Sequence, residues 1–151
     1  MSLHIENEFF TARVLTRGAE LCSLRRKADG AELIWQGDER YWGAHAPLLF
    51  PVTGKLKDLR FERDGKAYEL PPHGFAKERE FEVLGHTRDS ASLVLRSDEE
   101  TLQQYPFPFC LTCTFTLTET GIAVTRSVKN TGGAEMLFSI GEHLGLSLTP
   151  W

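Results

Sequence analysis

A chain of 151 residues is long enough to bury its own core, so neither a disulfide framework nor a structural metal is needed to explain folding, and one domain over residues 1–151 is the expectation. Its 21 acidic residues outnumber its 17 lysines and arginines, which are scattered apart from Arg25 to Lys27, and this excludes the basic footprint of a nucleic-acid partner. No apolar run approaches the roughly 20 residues needed to span a bilayer, and the opening MSLHIENEFF lacks a basic segment leading into an apolar one, so a soluble cytoplasmic protein with no membrane partner is expected.

In chain order, FTARVLT, AELCSLRR, KAYEL, REFEVLGH, ASLVLRS, FCLTCTFTLT and GIAVTRSVKN have period-two or β-branched character. The turn-forming groups RKADG, RDGK, TRDS, TETG and NTGG separate or follow them. The pattern predicts an all-β fold of antiparallel sheets. One short helical turn is predicted in SDEETLQQYP, with Ser97 as its cap and Pro106 as its stop.

Three cysteines, Cys22, Cys110 and Cys113, form an odd set. In a strand, positions three apart point to opposite faces, so the CLTC pair reads as packed thiols rather than a redox or zinc site, and no metal site is expected.

Two stretches interrupt the strand pattern. Tyr41 to Asp58, YWGAHAPLLFPVTGKLKD, is aromatic, lacks alternation, and is a costly loop unless it lines something. In ELPPHGF, two prolines remove backbone donors and force the chain out of an ordinary central strand just before His73. Gly74 then allows close approach or a positive φ, and Phe75 is placed to pack beneath the imidazole. A histidine held between rigid neighbours has its orientation fixed, as a binding or catalytic group requires. A surface turn with a hydrophobic anchor is the competing reading of the same motif. His45, in WGAHAP, reads as a solvated loop histidine.

Taken together and in order, GAEL (18–21), ELIWQGDERYW (32–42), APLLFPVTGKLKD (46–58), HGFAKEREF (73–81), YPFPF (105–109), VKNTG (128–132) and MLFSIGEH (136–143) resemble the aldose 1-epimerase, or galactose mutarotase, superfamily and most closely its LacX-like branch. The resemblance implies an antiparallel β-supersandwich whose concave face binds a monosaccharide. Its members interconvert the α and β anomers of aldoses without a metal or organic cofactor. His73 matches the family histidine that contacts the sugar, and His143 matches the general acid that protonates the ring oxygen. Lys55 stands where the family usually has an arginine that binds sugar oxygens. Trp42 and Phe75 are either apolar platforms for the sugar or core residues.

Anomerisation needs a proton taken from the C1 hydroxyl while another is given to the ring oxygen. Imidazoles, which titrate near neutrality, suit both roles.

Two departures accompany the match. Beyond His143 the chain reads HLGLSLTPW rather than the usual Pro, small residue and aromatic. Family members are also about twice as long, and their second half supplies an Asp that holds the sugar and the Glu that serves as base. The chain therefore resembles an amino-terminal half, a partial supersandwich without that base, in which epimerase activity is expected to be weak or absent and for which a non-catalytic carbohydrate-binding module is the alternative function. Glu142, beside His143, is expected to face away from the site, because neighbours in an extended segment point to opposite faces. A half-sandwich with open edges is expected to form a homodimer with a large apolar interface.

Overall fold

In the computed structural model, which describes residues 1–147, the alternating stretches are strands. Strands β1 (Ser2–Glu6), β2 (Phe10–Leu15) and β3 (Glu20–Arg26) form one antiparallel sheet in chain order. The long aromatic loop follows, with the two-residue β4 (Leu48–Leu49) inside it and a 3-10 turn (Lys57–Leu59) at its end. Strands β5 (Arg60–Arg63) and β6 (Lys66–Glu69) then make a hairpin. Asp64 and Gly65 both have positive φ at its tip, as the hairpin turn that matches strand twist demands.

A second sheet contains β7 (Glu82–His86), β8 (Ser90–Arg96), β9 (Phe109–Leu117) and β10 (Ile122–Asn130), in the order β10-β9-β8-β7 and antiparallel throughout. Finally β11 (Gly141–Glu142) returns to pair with β4. The fold is thus all-β, as expected. Among the described residues the outer edge of β10 has no strand beside it.

The core lies where the three- and four-stranded sheets face each other. Phe10, Ala12 and Val14 of β2 are buried, as are Leu111, Cys113 and Phe115 of β9 and Leu93 and Leu95 of β8. Phe50, fully buried just after β4, joins this core to the site. Its ring meets those of Phe75, Tyr105 and Phe109 edge-on, with centroids 5.1–6.4 Å apart. Truncating such a ring to Ala costs about 3–5 kcal/mol in comparable cores.

The helix is present as α1 (Glu99–Gln104), but its cap is Asp98 rather than Ser97. Asp98 accepts from the Thr101 N–H at 2.7 Å, and Thr101 Oγ1 accepts from the Asp98 N–H at 2.8 Å, closing a reciprocal capping box. Ser97 instead accepts the Phe109 N–H at 3.2 Å, tying the helix entry to β9.

Cys113 is buried and Cys110 half-buried on opposite faces of β9, and all three cysteines are free thiols. Burial pushes the Cys113 thiol up to about 11, so almost no thiolate exists near neutral pH. We expect Cys113 to resist iodoacetamide in the folded protein and to react only on unfolding; fast alkylation under native conditions, read by peptide mass spectrometry, would contradict its packing. Among the described residues no three His, Cys, Asp or Glu side chains are grouped to hold a metal.

Candidate functional site

The prolines before His73 build a tight turn. The Gly74 N–H donates to the Pro71 carbonyl at 2.9 Å, so Pro71 to Gly74 form a four-residue turn with Pro72 second and His73 third. His73 has φ 67°. A positive φ at the third position marks a type II turn, which usually recruits Gly or Asn there, and placing His in it costs of order 1–3 kcal/mol.

Surrounding contacts hold that conformation. The His73 N–H donates to the Gly54 carbonyl at 2.7 Å, and its own carbonyl accepts from the Phe50 N–H at 3.2 Å. The Gly54 N–H donates to His73 Nδ1 at 3.0 Å. Because Nδ1 accepts, the neutral ring carries its proton on Nε2.

His143 reaches the same place from the far end of the chain. Pairing of β11 with β4 fixes the segment, and the His143 N–H donates to the Pro47 carbonyl at 3.2 Å. Arg126 Nη2 donates to Glu142 Oε1 at 2.7 Å while its guanidinium lies 4.9 Å from the Phe115 ring centre, tying β11 to β10. The two imidazoles meet edge to face, centroids 4.9 Å apart. Partial desolvation, then the neighbouring His143 and Lys77, hold His73 below the ordinary imidazole range and so favour its neutral form.

His73 and His143 line a cleft of about 550 Å³ together with Trp42, Arg17, Glu20, Lys77 and Glu78. Trp42 is 38% exposed and also borders, with Glu142, His143 and Leu144, a shallower depression beside the cleft. Glu142 does not line the cleft itself, yet it shares the adjoining depression with His143, so the two neighbours do not face wholly opposite ways as strict alternation predicts; burial raises its carboxyl pKa.

Two of the expected site residues lie elsewhere. Phe75 is only 4% exposed, because its N–H is drawn to the Phe50 carbonyl at 3.1 Å and its ring packs on Phe50 and Phe109. It supports the site from the core and offers no face to a ligand. Lys55 is exposed and does not line the cleft; the chain's contribution from this loop is the backbone of its neighbour Gly54.

The cations at the cleft are Arg17 and Lys77, which strand and turn patterns do not single out. Lys77 was nevertheless traceable, since it sits in the HGFAKEREF phrase, one short 3-10 turn after His73.

The cleft's charges are mostly internally satisfied. Arg17 pairs with Glu78. Glu20 Oε1 accepts from the backbone N–H groups of His45 and Ala46 at 2.8 and 2.9 Å. His45 is therefore not a solvated loop residue: its side chain is 21% exposed, with Nδ1 3.8 Å from Glu20. A larger cavity of about 680 Å³ is lined by Phe61, Tyr105, Phe107, Leu137 and Phe138 and contains no imidazole, whereas His73 and His143 both line the smaller cleft.

Comparison with known proteins agrees with the fold. The sequence model of the family described as aldose 1-epimerase matches residues 1–149. The plasmid-encoded protein LacX of Lactococcus lactis subsp. lactis is 31% identical over a 149-residue alignment that covers 95% of this chain and 50% of LacX. A galactose mutarotase-like protein from Lactobacillus casei superposes with a TM-score of 0.95 at 36% identity, over 99% of this chain and 51% of that one. A galactose mutarotase related enzyme from Lactobacillus acidophilus gives a TM-score of 0.97, also at 36% identity, over 99% of this chain and 50% of that one. The chain spans about half the length of the relatives it matches, so the β-supersandwich it displays is a partial one. It belongs to the aldose 1-epimerase family.

Proposed function

We propose that the cleft binds a monosaccharide and interconverts its α and β anomers by acid/base ring opening. One observation carries this reading: two imidazoles from distant segments meet at 4.9 Å in a cleft bordered by an exposed tryptophan. Protonated His143 gives a proton to the ring oxygen while the C1 hydroxyl loses one to a water molecule, the C1–O5 bond breaks, the aldehyde rotates about C1–C2, and the ring recloses on the other face as both transfers reverse. His73, with Nδ1 occupied by Gly54, has Nε2 for a sugar oxygen. Trp42 supplies an apolar surface for the sugar's C–H face.

A second reading, a carbohydrate-binding module, draws on the carboxylates. Glu20 and Glu78, which line the cleft, are committed to backbone N–H groups and to Arg17. A carboxylate oxygen already held by such donors is not free to take the C1 hydroxyl proton.

Polarimetry with freshly dissolved α-glucose or α-galactose, with saturation-transfer NMR on the same samples, separates the two. Faster relaxation to the anomeric equilibrium supports the epimerase. Saturation transfer without acceleration supports the module, and neither effect removes both.

We also propose that the 151-residue chain is one domain, functions in the cytoplasm, and pairs as a homodimer. Leu137, Leu144 and Leu146 are 73%, 49% and 57% exposed, and the β10 edge is open among the described residues. Sedimentation equilibrium should give twice the chain mass, and a concentration-independent monomer would rule the dimer out.

A further inference from the structure

We propose that Lys77 is a positioning residue that locks the peptide between Pro72 and His73 in the flipped orientation of a type II turn, and thereby sets which nitrogen of His73 faces the cleft. This rests on His73 serving the proposed sugar chemistry, but the geometry and its test do not involve sugar. Lys77 Nζ donates to the Pro72 carbonyl at 2.9 Å and to the Gly74 carbonyl at 3.2 Å, one on each side of His73.

The Pro72 carbonyl belongs to the central peptide of the turn. Type I and type II turns differ by rotation of that peptide through about half a revolution. Proline at the second position suits either type. With a non-glycine residue third, the type I form is intrinsically favoured, because it returns His73 to negative φ.

The ammonium opposes that preference. Flipping the peptide would carry the Pro72 carbonyl away from Lys77 Nζ, and it would swing the His73 ring off the Gly54 N–H. The short 3-10 turn Ala76–Glu78 brings the Lys77 side chain back over the residues that precede it. A positive charge here also faces the imidazole, as do His143 across the cleft and the mutually paired Arg17 and Glu78.

The test uses ring-nitrogen NMR of His73 in the unliganded protein. In the wild type, Nδ1 should show the signature of an unprotonated, hydrogen-bonded acceptor and Nε2 that of a protonated nitrogen. Lys77→Met should collapse this difference toward tautomer exchange and move the His73 titration midpoint up, toward the ordinary histidine value. Lys77→Arg, which keeps charge and donors, should restore the wild-type pattern. Lys77→Met with wild-type ring shifts, or Lys77→Arg behaving like Lys77→Met, overturns the proposal.

Should Lys77→Met not fold, stability gives the answer through a double-mutant cycle built on Lys77→Gln and His73→Gly. Glycine accepts positive φ without cost, so Lys77→Gln should destabilise the His73→Gly protein less than the wild type. Equal losses in the two backgrounds would overturn the proposal. None of these readouts depends on catalysis, so an inactive protein with the expected shifts would remove the epimerase reading and leave the lock intact.

Discussion

Gly74→Ala should cost about 2–5 kcal/mol of folding stability and dissolve the cleft, because overpacking and left-handed strain fall on the same atom. A Cβ at Gly74 would collide with the Phe50 carbonyl oxygen and carbon and stand 2.7 Å from Pro51 N. All three are backbone atoms, so no rotamer change relieves the clash. Gly74 also has φ 70°. To make room, the turn must leave Phe50, whose carbonyl accepts from the N–H groups of Phe75 and Ala76 and whose own N–H donates to His73. The change that frees the Cβ thus releases the histidine.

Gly65→Ala is the internal control. Gly65 has φ 75°, yet nothing lies within 4 Å of a Cβ there, so only the strain of about 1–2 kcal/mol applies. Urea denaturation of both variants, followed by circular dichroism, measures the difference. If Gly74→Ala proved no more damaging than Gly65→Ala, the close approach of the turn to Phe50 would be wrong.

What the sequence made legible follows from how local each feature is. Strands such as β9 announce themselves, because nine residues of alternating aromatic, apolar and Thr side chains bury one face and leave the other half-exposed. Strands β4 and β11 have two residues each, too few for any period, and exist through pairing between Leu48–Leu49 and Gly141–Glu142 across the whole chain. Strand β1 does alternate, but only Leu3 and Ile5 carry its buried face.

The histidine pair was recoverable because each member sits in a phrase specific to the family. Which neighbours share their cleft was not. Lys55 is next to a residue that bonds His73, and adjacency in sequence says nothing of where its long side chain goes. The spacing of Phe75 from His73 suits a ring beneath the imidazole, whereas the two contacts at the Phe50 carbonyl pull that ring into the core. Positive φ at His73 also escapes a rule that reserves such positions for glycine, and it became visible only through the hydrogen bonds that enforce it.

In the epimerase reading, His143→Ala should lower kcat by about 10²-fold or more with little change in KM, since a general acid acts chiefly in the transition state. The fold should tolerate the change, because the segment is held by main-chain contacts: the β4–β11 pairing and the His143 N–H bond to Pro47 persist without the imidazole. Trp42→Ala should instead raise KM, because a 38% exposed ring beside both imidazoles contributes surface to bound and reacting sugar alike. Lys55→Ala should leave both constants near wild type, its side chain being exposed and outside the cleft. Polarimetric progress curves over a range of sugar concentrations separate the three behaviours. A large KM effect at Lys55 would return that residue to the site, and a His143→Ala enzyme retaining its kcat would leave ring-oxygen protonation to some other group.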